Sequence, residues 1–130
     1  MRSGWLWPAL LVGTGGFLGS VFRYALSGLV HRLAPFAAFP YGTLAVNVTG
    51  CLAIGVLGGL TESRQILGPD LRLFLLLGLL GGFTTFSTFG YETMALLRDS
   101  EQLRAAANVL MHVFAGLSAV WLGYSLSRMW

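Results

Sequence analysis

The stretch from Gly78 to Glu92, GLLGGFTTFSTFGYE, decides how this chain is read. It lies at the end of a charge-free run that begins at Leu73. A helix rises about 1.5 Å per residue and the hydrocarbon layer is roughly 30 Å thick, so such a run can cross a membrane. In lipid every backbone N–H and C=O needs a partner. An apolar helix interrupted by Gly81-Gly82 and then by the hydroxyls of Thr84, Thr85, Ser87 and Thr88 therefore predicts a helix broken at mid-membrane depth. Carbonyls freed at a half-helix end coordinate small cations such as Na⁺ in transporters. The competing reading has the hydroxyls simply bonding the preceding turn or a neighbouring helix. The residues by themselves leave both open.

Outward from this stretch, three more charge-free runs appear, Ser3 to Phe22, Leu33 to Thr61 and Ala105 to Ser127. The chain is 55% hydrophobic and 10% charged, where soluble domains are about a quarter charged. We therefore expect an all-α membrane protein, multi-pass in the cell (inner or plasma) membrane. Residues 1–130 form a single domain of four transmembrane helices, approximately 4–30, 42–61, 71–97 and 104–127. The first run is too long for the apolar region of a secretory leader and lacks a small-x-small cleavage site, so it reads as a span. Cys51 is the only cysteine, which excludes an intrachain disulfide framework and a cysteine-based metal site. The net charge of +3 comes from arginines scattered singly at the ends of apolar runs. No basic patch results, and headgroup contact accounts for them better than nucleic acid does.

Those arginines also speak to topology. Arg2, Arg64, Arg72 and Arg128 flank one face of a four-span bundle, and Arg23, Arg32, Arg98 and Arg104 the other. Orientation follows an excess of Lys and Arg on the cytoplasmic side, and here neither face has one. Insertion in both orientations is expected. Four short helices enclose little interior, so an antiparallel dual-topology homodimer is the economical way to build walls, a geometry that other transporters achieve with inverted repeats. The many glycines, such as Gly15, Gly16, Gly19, Gly55, Gly58 and Gly59, read as small residues that let membrane helices approach closely.

Several side chains are candidates for a site. Helical spacing places Phe86 and Phe89 on one face and Thr85, Thr88 and Glu92 on an adjacent one, an aromatic track beside a polar track. An aromatic ring has a positive edge, which can attract a small anion stripped of water; the alternative is plain lipid or core contact. Glu92 borders a span and is a functional candidate by default, or else marks a helix end. The second span opens with Tyr41-Gly42-Thr43 and carries Asn47, whose amide must meet a partner helix, a pore or a ligand. Arg23 either snorkels to headgroups or places positive charge at an anion vestibule. His112 in the fourth span is either a neutral packing residue or part of a path, and no second ligand stands at metal spacing from it.

Gly16-x-x-Gly19 with Arg23-Tyr24, GTLAVN at Gly42 to Asn47, and GGFTTFSTF at Gly81 to Phe89 with Glu92 beyond it resemble the CrcB/Fluc family of fluoride channels. The resemblance runs through nearly the whole chain. It implies two fluoride pores per antiparallel dimer, with fluoride, sodium, membrane lipid and a second copy of the chain as partners. Phe86 and Phe89 would form a phenylalanine box, Asn47 would donate a hydrogen bond to fluoride, and Ser87 and Thr88 would belong to the polar track. Thr43, Glu92, Arg23 and His112 complete the expected pore set. The main-chain carbonyls of Gly81 and Thr84 from both subunits would bind a structural Na⁺ at the dimer centre. One position departs from relatives that carry serine one turn after His112, since Gly116 stands there, and this bears on what the fourth helix contributes.

The function expected is passive fluoride efflux that lowers cytoplasmic fluoride toxicity, with donors and ring edges replacing the ion's hydration shell. No nucleophile, base or cofactor motif points to an enzyme. A small dual-topology multidrug or cation exporter is the runner-up, but such exporters embed a carboxylate in the first helix, and the first acidic residue here is Glu62. A non-conducting structural membrane subunit is the third alternative.

Overall fold

The computed structural model describes residues 4–130 and is all helix. Four segments are long and apolar enough to cross a membrane, Leu6–Leu33, Tyr41–Arg64, Pro69–Arg98 and Gln102–Ser127. The first, second and fourth are the continuous helices α1 (Leu6–Leu33), α2 (Tyr41–Arg64) and α6 (Gln102–Ser127). The third is a composite. It starts with α3 (Pro69–Arg72), winds as a π-helix over Leu73–Leu80, returns to α-geometry in α4 (Gly81–Phe83), breaks, and resumes as α5 (Phe86–Arg98).

Side-chain bonds assign the two ends of the bundle. At one end Trp7 Nε1 donates to Asp70 Oδ2 at 2.8 Å, and the Tyr124 hydroxyl donates to Glu62 Oε2 at 2.7 Å. Trp5, Trp7 and Trp130 are exposed at this end, as expected of rings at a membrane–water interface. At the other end α5 closes on Ser100, which has a left-handed φ of 61°. The Glu101 N–H donates to the Leu96 carbonyl and the Ser100 N–H to the Leu97 carbonyl. This pairing satisfies carbonyls that a helix end would otherwise leave open.

Glycine sets the packing. Along one crossing, a Cβ on Gly55 would meet the Val120 carbonyl, one on Gly123 the Leu52 carbonyl and one on Gly59 the Ser127 side chain. Gly55 lies against Val120 and Tyr124 and Gly59 against Tyr124 and Ser127, so α2 and α6 run parallel with backbones nearly touching. The same holds for α1 and the third span, where Gly15 faces Phe74 and Gly78, Gly19 faces Leu79 and Phe83, and Gly16 faces Gly82. Van der Waals contact of this kind holds membrane helices together where no hydrophobic drive exists. Gly123→Ala is accordingly expected to cost about 1–3 kcal/mol through overpacking. Gly58→Ala, at a position with open space around it, is expected to shift stability by less than about 1 kcal/mol. Thermal unfolding midpoints in detergent check the pair.

Most large apolar side chains face outward, among them Phe17, Leu117 and Trp121. The largest fully buried side chains are Val46 and Asn108. One detail differs from the sequence expectation. Arg23 is not near the end of the first span: α1 continues to Leu33, leaving Arg23 about 15 Å inside the helix. A single charge does not end a membrane helix whose flanking residues stay apolar. Arg2, counted above with one face, lies outside the described residues.

Candidate functional site

The third span breaks at Thr84 and Thr85, whose backbones are extended at φ −85°, ψ 157° and φ −151°, ψ 116°. Gly81 and Gly82, expected to interrupt the helix, are still helical. A Cβ on Gly82 would stand 2.9 Å from Gly16 Cα, so this glycine serves the crossing with α1 and the threonines make the break.

Asn47 of α2 meets both backbone groups exposed there. Its Nδ2 donates to the Thr85 carbonyl at 3.0 Å, and its Oδ1 accepts from the Thr85 N–H at 2.9 Å. An amide NH₂ carries two hydrogens, so one donor of Asn47 is left over after this bridge. Thr85 then caps α5, its hydroxyl accepting from the Thr88 N–H at 3.3 Å, as N-cap residues do. In an unbroken helix the Thr85 N–H would serve the Gly81 carbonyl and the Thr88 N–H the Thr84 carbonyl. Both donors are diverted, and the Gly81 and Thr84 carbonyls lose their helical partners together.

Beyond the break three rings form a file. The Phe86 and Phe89 centroids are 5.3 Å apart and tilted by 52°, and the Phe89 and His112 centroids are 4.4 Å apart, tilted by 42°. Phe86 is 82% exposed, so a single chain covers little of it. His112 Nδ1 lies 3.0 Å from the Asn108 carbonyl, an acceptor, which puts the ring hydrogen on that nitrogen.

Two cavities flank the start of α5. One, of about 410 Å³, is lined by Asn47, Thr84, Thr85, Phe86, Phe89 and His112 among others, with Gly81 at its wall. The other, of about 430 Å³, is lined by Arg23, Ser27, His31, Thr43, Thr85 and Thr88 among others. Thr85 belongs to both. Arg23 Nε is buried without a hydrogen-bond partner. Thr43, itself buried, donates to Glu92 Oε1 at 2.7 Å and ties α2 to α5. The structure thus gathers nearly all the candidates around α5. Ser87 and Glu92 line neither cavity: Glu92 reaches the second one only through Thr43, and Ser87 lies on the outer surface, 3.3 Å from the Thr85 hydroxyl.

This arrangement suits a small anion. The first N–H groups of a helix are unsatisfied and carry partial positive charge, and here they open at the centre of a membrane span. Among the described residues no three His, Cys, Asp or Glu side chains gather to hold a metal. The sequence reading passed over Asn108 and Thr93. Asn108 is fully buried and donates to Thr93 Oγ1 at 2.9 Å, and Thr93 donates to the Phe89 carbonyl at 2.8 Å. Asn108, like Asn47, is a strong amide in an apolar helix and must meet a partner.

Comparison with known proteins bears on the same residues. The family model described as "CrcB-like protein, Camphor Resistance (CrcB)" matches residues 10–124. The chain is 45% identical over 124 residues, 95% of this chain and 97% of the relative, to the fluoride-specific ion channel FluC of Methylobacillus flagellatus. It is 47% identical over 120 residues, 92% of this chain and 96% of the relative, to the FluC of Nitratidesulfovibrio vulgaris strain Miyazaki F. It is 42% identical over 118 residues, 91% of this chain and 88% of the relative, to FluC 1 of Methanosarcina acetivorans. With four apolar spans, a third span broken where the signature lies, and similarity from end to end, this chain is a multi-pass membrane protein that belongs to the CrcB-like family.

Proposed function

We propose that the protein is a fluoride-selective channel of the cell membrane through which fluoride leaves passively, keeping its cytoplasmic concentration low. The observation that carries this reading is the broken third span. Its cap residue Thr85 is held by Asn47, and its second half opens with the ring file Phe86, Phe89 and His112. The names of the relatives supply the ion.

Fluoride is small and strongly hydrated, and entry into a narrow path requires donors that replace its water. Asn47 keeps one amide hydrogen for the cavity it shares with the rings. Thr85 and Thr88 present hydroxyls toward the second cavity, and Arg23 supplies positive charge there. Thr43 and Glu92 brace the polar track, with Ser87 beside its start.

The unit is an antiparallel homodimer with two pores. Among the described residues Arg64, Arg72 and Arg128 stand at one end and Arg32, Arg98 and Arg104 at the other, a balance that favours neither orientation. The exposure of Phe86 supports a second copy closing the ring side of each path. A structural Na⁺ fits the Gly81 and Thr84 carbonyls, whose helical donors are diverted, with the partner copy supplying the matching pair.

Purified protein in liposomes tests the reading. Fluoride is expected to leave loaded vesicles at a rate far above that of protein-free vesicles, while chloride stays inside. Equal release of fluoride from empty and protein-containing vesicles would overturn it.

A further inference from the structure

We infer that Asn108 is a positioning residue that sets selectivity by fixing Phe89, through a contact that touches no ion. The inference rests on the fluoride reading above and extends it to a residue outside the expected pore set.

Asn108 has no exposed surface, and its amide spans from α6 to α5. Its Nδ2 donates to Thr93 Oγ1 at 2.9 Å. Thr93 has one hydroxyl hydrogen and spends it on the Phe89 carbonyl at 2.8 Å, so toward Asn108 it can only accept. That fixes the amide orientation and leaves Asn108 Oδ1 buried without a donor. A fully buried amide with an unsatisfied oxygen is a costly way to join two helices. An apolar pair of the same shape would pack as well, so stability alone does not account for it.

What the arrangement does is converge on one ring from two directions. The side chain of Asn108 reaches the backbone of Phe89 through Thr93. Its main-chain carbonyl accepts from His112 Nδ1 at 3.0 Å, and the His112 ring packs at 4.4 Å between centroids against Phe89. The turn that carries Phe89 and the ring that backs it are therefore referenced to the same residue. A ring attracts an anion only along its edge and repels it over its face, so a modest rotation of Phe89 exchanges attraction for repulsion. Asn108 and Thr93 hold the edge.

Single-channel recording in planar bilayers tests this with wild type, Thr93→Val, Thr93→Ser, Asn108→Ala and the double variant Asn108→Ala/Thr93→Val. Thr93→Val keeps the shape and removes the relay; Thr93→Ser keeps the hydroxyl. Fluoride conductance is expected to fall about threefold to tenfold in Thr93→Val and Asn108→Ala, with a measurable loss of fluoride-over-chloride preference. Thr93→Ser stays within about twofold of wild type, and the double variant is no worse than the poorer single one. A merely structural role would lower the number of active channels and leave the conductance and selectivity of each unchanged, and that result overturns the inference. Multiplying losses in the double variant would do the same. If Asn108→Ala does not fold, the contrast between Thr93→Val and Thr93→Ser decides. A wild type that conducts no fluoride overturns the functional reading itself, whereas a conducting wild type with indifferent variants removes only the role of Asn108.

Discussion

Asn47→Ala is expected to reduce fluoride flux through liposomes by about tenfold to a hundredfold. Two losses add up. The hydrogen left over on Nδ2 after its bond to Thr85 no longer reaches the ion. A hydrogen bond to a charged group contributes about 1.5–3 kcal/mol, and about 1.4 kcal/mol is tenfold in rate. The bridge to the Thr85 N–H and carbonyl also disappears, leaving two backbone groups unpaired in a largely apolar setting. The second loss predicts a lower unfolding midpoint alongside the lower flux. Asn47→Asp is expected to conduct as poorly as alanine and to be no more stable, because an acceptor-only oxygen replaces Nδ2 against the Thr85 carbonyl. Fluoride-electrode traces at matched protein density, with melting in detergent, check both. Unaltered flux in Asn47→Ala would contradict the proposed donor.

Phe86→Ile and Phe89→Ile are each expected to slow fluoride efflux by about tenfold or more, equivalent to at least about 1.4 kcal/mol in the barrier. Isoleucine keeps much of the bulk and the apolar character but has no ring quadrupole, so the attractive edge is lost without opening a hole. The two positions should differ in stability. Phe86 is 82% exposed and its replacement is expected to leave monomer folding nearly unchanged. Phe89 is half-buried between Phe86 and His112, so its variant is expected to lose part of that packing as well. Phe89→Tyr provides a control that keeps a ring in place and is expected to retain more flux than Phe89→Ile. Chloride should remain trapped in every case. Fluoride flux that survives both isoleucine variants would mean that the rings are packing alone.

Much of this was legible in the chain because the decisive constraints are local. Four apolar runs bounded by arginines and turn residues give four spans, and the hydroxyl cluster after Gly81-Gly82 announces an interruption in the third. Spacing alone put Phe86 beside Phe89. The place of the break was not legible, since glycine signals either a loose backbone or a close contact, and only the position of Gly16 in α1 decides for contact at Gly82. The π-helical winding of Leu73–Leu80 has no signature in a run of leucines. Contacts between distant segments were out of reach for the same reason. His112 stacks on Phe89 through the way α6 folds back on α5, and no periodicity reports that. Asn47 was recognised as needing a partner, yet which partner depends on where the third span breaks. Arg23 stands at the edge of a charge-free run, yet the apolar residues beyond it carry α1 on to Leu33.

The central claim is that the third span is interrupted at Thr84 and Thr85 and that the interruption creates the ion path. Backbone carbon chemical shifts of labelled threonines, recorded by solid-state NMR on the protein in lipid bilayers, address it directly. Thr84 and Thr85 are expected to show extended-type Cα and Cβ shifts while Thr88 and Thr93 show helical ones. Helical shifts at all four threonines would contradict the account.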